Sequence, residues 1–180
     1  MEFIIDADNI ELSFNRIADY LLFSSVININ EEELEITEIE FYYFKEGVHE
    51  DKYTHPHKRE AGEWRLHKQG IDITFKGNEI EDGGILIRGI KHKQKYINGP
   101  LKTLNYIFEM MGKVQIPCTL YLKEKELART QIYKTFRHIP NKVQYETFHS
   151  REYRFLKDFE YLTIEPKLKK HIEEKLVLIE

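Results

Sequence analysis

Glu40 and Arg88 are the two residues in this chain whose surroundings make them hardest to explain as ordinary surface. Glu40 falls within Glu38-Ile39-Glu40-Phe41-Tyr42-Tyr43-Phe44, where aromatic and β-branched residues alternate with carboxylates in the manner of a strand. Side chains two apart share a strand face, so regular alternation puts Leu34, Ile36, Glu38, Glu40 and Tyr42 on one side and Thr37, Ile39, Phe41 and Tyr43 on the other. A carboxylate in such company stands either at the rim of a sheet or at a site that uses it. Arg88 interrupts the apolar run Ile85-Leu86-Ile87-Arg88-Gly89-Ile90. A guanidinium there must be paired, with Asp72 or Glu40, or must face a ligand, since desolvating it alone costs several kcal/mol. Asp72 breaks the apolar pattern of Gly70 to Phe75 in the same way. Three polar spots on apolar strands point to one polar pocket at the mouth of a sheet.

The segment Lys45 to Arg59 adds His49, Asp51, Tyr53, His55 and His57, a high density of titratable groups, and forms a pocket wall with the strand before it. His55-Pro56-His57 with His49 and Asp51 invites a metal reading, and a metal-dependent hydrolase is one function class to test. Pro56 works against a shared strand face, and no third ligand follows at a diagnostic spacing. No glycine-rich phosphate loop is present, and Cys118 is the single cysteine, so an internal disulfide is excluded.

These residues need a scaffold. Asp8-Asn9 precedes Ile10, Phe14, Ile17, Ala18, Leu21 and Leu22 at helical spacing. Ser24–Asn30 and Glu31–Phe44 read as a hairpin, Lys45–Glu60 as a loop, and Trp64–His67 and Gly70–Phe75 as further strands. Gly83-Gly84 reads as a turn before the strand of Arg88. Asn98-Gly99-Pro100 opens a helix from Leu101 to about Met111, proline being well placed in a first turn. Thr119–Leu122, Val143–Glu146 and Tyr153–Leu156 read as strands, and Lys167–Leu178 as a helix. The pattern predicts one α+β domain over residues 1–180, with a curved, mainly antiparallel sheet flanked by helices.

Composition narrows the class. Of 180 residues, 41% are hydrophobic and 32% charged, the balance of a globular domain. Apolar runs are too short to span a membrane, and early acids at Asp6, Asp8 and Glu11 do not fit a signal peptide, so a soluble, cytoplasmic, monomeric protein is expected. The net charge of −4 conceals a basic stretch: between Lys52 and Lys102, eleven Lys and Arg residues face six Asp and Glu. A locally basic face can meet phosphates.

The ordered series of motifs resembles the alkylpurine DNA glycosylases of the 3-methyladenine (alkyladenine) type. Glu38-Ile39-Glu40-Phe41-Tyr42 is similar to that family's Glu-Thr-Glu-Ala-Tyr strand, and Asp51-Lys52-Tyr53-Thr54-His55 to its Asp-x-x-x-His. Ile71-Asp72-Ile73 resembles Leu-Asn-Val with Asp in place of Asn, and Ile85-Leu86-Ile87-Arg88-Gly89 resembles Val-Leu-Leu-Arg-Ala. Gly99-Pro100-Leu101-Lys102-Thr103 is similar to Gly-Pro-Ser-Lys-Leu, while Arg137-His138-Ile139 and Tyr153-Arg154-Phe155-Leu156 resemble Arg-Val-Gly and Leu-Arg-Phe-Tyr. The family's tyrosine-bearing hairpin, which replaces the flipped base, has no clear counterpart.

The resemblance implies a monofunctional hydrolase of base-excision repair that cleaves the N-glycosidic bond of an alkylated or deaminated purine flipped from double-stranded DNA. It casts Glu40 as the general base and Arg88 as a catalytic residue that helps hold the attacking water and the neighbouring phosphate. Tyr42, His55 and Asp72 would bind the base, and Lys102 and Arg154 would meet DNA phosphates. Asp72, where the family has Asn, adds a negative charge that favours a cationic base. The resemblance implies no metal, no cofactor and no lysine nucleophile. The other expectation is a noncatalytic relative that binds a nucleobase-like ligand or nucleic acid.

Overall fold

The computed structural model describes residues 1–137, 146–163 and 165–177. In chain order the elements are α1 (Ile10–Phe23), β1 (Ser25–Ile29), β2 (Glu32–Lys45), β3 (His49–Glu50), β4 (Trp64–His67), β5 (Gly70–Thr74), β6 (Glu81–His92) and β7 (Lys95–Asn98). They continue with α2 (Pro100–Met110), β8 (Leu120–Glu124), β9 (Tyr133–Thr135), α3 (Glu146–His149), β10 (Arg154–Leu156), a 3-10 turn (Phe159–Tyr161) and α4 (Pro166–Val177). The α+β class and the antiparallel sheet agree with the pattern in the sequence. The sheet runs β4-β5-β6-β2-β1-β8 and curls into a half-barrel. One edge of β2 meets β6; the other meets β1 near its start and β10 further along.

The concave core is apolar because α1 lays Phe14, Ile17, Ala18 and Leu21 onto Ile39, Phe41 and Tyr43 of β2 and Ile85 and Ile87 of β6. Phe14 stacks on Phe41 with ring centroids 4.3 Å apart. Among the described residues, no helix is long and apolar enough to cross a membrane.

Three expectations change, and one strand is unexpected. Leu34 and Ile36 belong to the core with Ile39, Phe41 and Tyr43, not to the face of Glu40. The cause is a double irregularity: Ile36 pairs with Ile90, Glu38 with Gly89, and Ile39 with Ile87, leaving Thr37 extra on β2 and Arg88 extra on β6. Each extra residue reverses the alternation on its strand. Gly89 fits there because a Cβ would come within 2.8 Å of Thr37 Oγ1 and 3.1 Å of Glu38 Cβ.

Gly83 and Gly84 are not a turn but part of β6, opposite Tyr43 and Tyr42. Gly83 is glycine for lack of room: a Cβ there would lie 2.5 Å from the Tyr42 carbonyl. The expected loop after β2 contains β3, which pairs back onto Phe44 and Lys45. Finally, β9 carries no clear sequence pattern and forms by pairing with β10. The strand expected at Val143–Glu146 lies outside the described residues except for Glu146, which begins α3; Leu178 is outside them as well.

Candidate functional site

The face of the sheet opposite α1 is built in rows. Opposite partners place Thr135, Arg154, Glu40, Leu86, Asp72 and Arg65 in one line across β9, β10, β2, β6, β5 and β4. The next row holds Tyr42, Gly84 and Thr74. With no side chain at Gly84 and only Leu86 beside it, the sheet leaves a cavity of about 370 Å³. Tyr42, Leu86 and Arg88 form its floor and one side; Asp72, Arg65 and His67 form the other. Tyr53 and His55 close it from the segment after β3, and Pro100 and Leu101 from the start of α2.

Arg88 reaches this face because it is the extra residue of β6. Its carbonyl accepts hydrogen bonds from Gly99 N–H at 2.8 Å and Thr103 Oγ1 at 3.2 Å, which fixes the strand to the first turn of α2. Its guanidinium donates from Nε to Glu38 Oε1 at 2.8 Å and from Nη1 to Glu40 Oε2 at 3.1 Å. Burial works against the Arg88 charge, yet Glu40 and Glu38 outweigh it and hold its pKa above the ordinary value.

Glu40 is only 1% exposed and stands behind Tyr42 and Arg88 rather than on the cavity surface. The Tyr42 hydroxyl donates to Glu40 Oε2 at 2.8 Å, and the buried Oε1 has no hydrogen-bond partner. Burial first, then the Glu40 charge, pushes the Tyr42 hydroxyl well above its ordinary pKa, so it stays a donor.

Across the cavity, Asp72 Oδ1 lies 3.0 Å from His67 Nε2, and Asp72 Oδ2 lies 4.0 Å from Arg65 Nη1. The His67 contact is close enough for an ion pair, but neither atom forms a hydrogen bond, so alignment rather than distance is the deficit. Gln69 N–H donates to His67 Nδ1 at 3.3 Å, which leaves the neutral ring's proton on Nε2, facing Asp72. Arg65 also donates to the His55 carbonyl at 3.1 Å. Burial, with Arg65 and His67 nearby, lowers the pKa of His55.

Of the residues singled out from sequence, Tyr42, His55, Asp72 and Arg88 meet at this cavity, with Glu40 directly behind it. Lys102 is exposed in the first turn of α2, beside Pro100 and Leu101. Arg154, expected at a phosphate, is buried and internally paired in this structure, donating to Glu38 at 2.5 Å and to Glu165 at 3.0 Å. The basic stretch also divides. Arg65, Lys68 and Arg88 line the cavity, whereas Lys91 and Lys93 pair with Glu35 and Glu32 near the far end of β6.

The histidine segment does not assemble a metal site. His49 is buried, donating from Nδ1 to the Tyr43 carbonyl at 2.8 Å, with Nε2 2.9 Å from the Tyr153 hydroxyl. Asp51 is consumed by Arg137 at 2.5 Å, and His57 Nε2 bonds the Gly83 carbonyl. Among the described residues, no group of three or more His, Cys, Asp or Glu could hold a metal.

Sequence reasoning missed Arg65 and His67 as site residues. The signal was available: a two-residue connection, Lys68-Gln69, makes β4 and β5 a tight hairpin and sets Arg65 opposite Asp72. It also missed Arg137, whose guanidinium lies 4.7 Å from the centre of the Tyr42 ring and 5.5 Å from that of Tyr53. His138 and Ile139, which follow it in the motif comparison, lie outside the described residues. No family model, curated protein or solved structure gives a significant match to this chain.

Proposed function

We propose that the chain hydrolyses the N-glycosidic bond of an altered purine flipped out of double-stranded DNA. The observation that carries this reading is the convergence of Tyr42, His55, Asp72 and Arg88, from four separate segments, on one cavity backed by Glu40. A volume of about 370 Å³ suits a small planar ligand. Tyr42 supplies an aromatic face for stacking, and Leu86 and Gly84 an apolar floor. Asp72, when ionised, is acceptor-only and accepts an N–H of the base.

In the reaction, Glu40 Oε1 takes a proton from water as the water oxygen attacks the anomeric carbon. The carbon–nitrogen bond breaks and its electron pair leaves with the base. Arg88 and the Tyr42 hydroxyl hold the other Glu40 oxygen, which fixes the orientation of Oε1. Arg65, Lys68 and Lys102 supply positive charge for the DNA backbone.

The depth of Glu40 favours a second reading, in which the cavity binds a nucleobase-like ligand without turnover. Single-turnover assays on duplexes carrying methylated purines, hypoxanthine or ethenoadenine separate the two. Base release that disappears in Glu40→Gln supports hydrolysis. Nucleobase binding without release from any duplex supports the noncatalytic reading.

A further inference from the structure

Arg88 and Arg154 donate through Nε to the same acceptor, Glu38 Oε1, at 2.8 and 2.5 Å. That shared oxygen sets the two guanidinium groups side by side with their outer nitrogens turned toward one further carboxylate. Arg154 Nη1 donates to Glu165 Oε2 at 3.0 Å, while Arg88 Nη2 stands 4.0 Å from Glu165 Oε1. Glu165 immediately precedes α4.

Two properties set Glu165 apart from its partners. Glu38 and Glu40 already balance Arg88 and Arg154, so Glu165 adds a negative charge that the cluster does not need for neutrality. It is also the accessible member: its side chain is 36% exposed, against 12% for Arg88 and 2% for Arg154. The fit is uneven as well. A flat carboxylate bonds one guanidinium and falls short of the other, whereas the tetrahedral oxygens of a phosphate can serve both forks.

We propose that Arg88 and Arg154 form a phosphate site beside the cavity, and that Glu165 is its internal occupant, displaced when a phosphate arrives. A phosphodiester carries the same single charge as the carboxylate it replaces, so the exchange leaves the charge of the cluster unchanged. Glu40 and Glu38 face the inner nitrogens and stay in place; Glu165 swings out and releases the first turn of α4. Because Arg88 also lines the cavity, a phosphate bound there is within one side chain of a ligand inside it. That the phosphate comes from nucleic acid rests on the function proposed above; the anion site itself does not.

The test is the Glu165→Gln variant, which keeps the side chain's size and removes its charge. Inorganic phosphate and, separately, a short undamaged duplex are titrated into wild type and variant by calorimetry, with hydrogen exchange followed across α4. Removing the competitor is expected to tighten phosphate binding about tenfold, since the wild-type site is open only part of the time. Phosphate should also speed amide exchange in the first turn of α4 in the wild type. An equal phosphate affinity in the two proteins would overturn the proposal, as would a lower melting temperature with no gain in affinity. Gain with phosphate but not with the duplex upholds the anion site and counts against nucleic acid as its source.

Discussion

Glu40 and Asp72 stand in the same row of the sheet with only Leu86 between them, Asp72 in the cavity wall and Glu40 buried behind the opposite side. Two strand spacings separate their backbones, about 10 Å. Their neighbourhoods differ sharply. Glu40 is sealed beneath Tyr42 and Arg88, while Asp72 contributes to the cavity wall beside Arg65 and His67. The row therefore sets a buried carboxylate behind one end of the Leu86 floor and a carboxylate of the cavity wall at the other.

Glu40→Gln should abolish base release, by about 100- to 10,000-fold, if Glu40 is the base. If its role is only to neutralise Arg88, the loss appears in stability, because stranding one charge of a buried pair costs about 3–5 kcal/mol. Melting curves and single-turnover rates measured in parallel distinguish these roles. A variant that melts early yet releases base at the wild-type rate removes Glu40 from the chemistry.

Gly84→Val places a side chain between Tyr42 and Thr74, in the gap that opens the cavity. Its Cβ would lie 3.1 Å from the Ile73 carbonyl, so the strand must shift by a few tenths of an ångström to take it. The expected result is a folded protein that no longer binds nucleobases, seen as unchanged circular dichroism and a flat binding isotherm. Undiminished binding would mean that the ligand sits elsewhere.

Lys102→Gln tests the exposed end of α2. DNA affinity falls with salt in proportion to the phosphates neutralised, with a slope of about −0.9 per contact. The variant should bind less tightly and lose about one contact's worth of that slope. An unchanged slope places Lys102 off the DNA path.

Asp51→Asn strands Arg137 in a buried setting. The Asp51–Arg137 contact is inaccessible to solvent, and Arg137 packs against Tyr42, Tyr53 and Tyr153. A loss of about 3–5 kcal/mol is expected from chemical denaturation. Replacing both partners with apolar residues should recover part of it, since no lone charge then remains buried.

Stability should also depend on pH through His49. Burial lowers its pKa below the ordinary 6.5, so below that pH the unfolded chain takes up a proton the folded chain resists. His55 is lowered in the same direction. Their contribution is complete above about pH 6.5 and declines as pH falls through the folded-state values. Melting temperatures at pH 7.5 and 6.0 should differ, and by less in His49→Gln. Equal differences in the two proteins would exclude His49 as a source of the effect.

What could be seen in the sequence follows from how local its cause is. α1 and α2 repeat apolar residues at helical spacing, and the polar interruptions at Glu40, Asp72 and Arg88 stand out against their own strands. The misread features depend on distant partners. Gly83-Gly84 looks like a turn until Tyr42 and Phe75 press against it. Leu34 and Ile36 take the core side only because Thr37 bulges. Arg154 looks like a surface cation until Glu38, on a strand far away in sequence, is placed opposite Leu156 with its carboxylate on the guanidinium.

The paired irregularity has a consequence for how this sheet can change over evolutionary time. Thr37 and Arg88 are each one residue more than a regular ladder needs, but because they fall on either side of the Glu38–Gly89 pair, one on each strand, the pairing regains its register within three residues. A deletion on one strand alone would act as a frameshift in the ladder, offsetting every pair on one side of it. A matched deletion on both strands would restore a regular sheet, at the expense of the position that turns Arg88 toward the cavity. Lineages that keep the site must therefore inherit the two extra residues together.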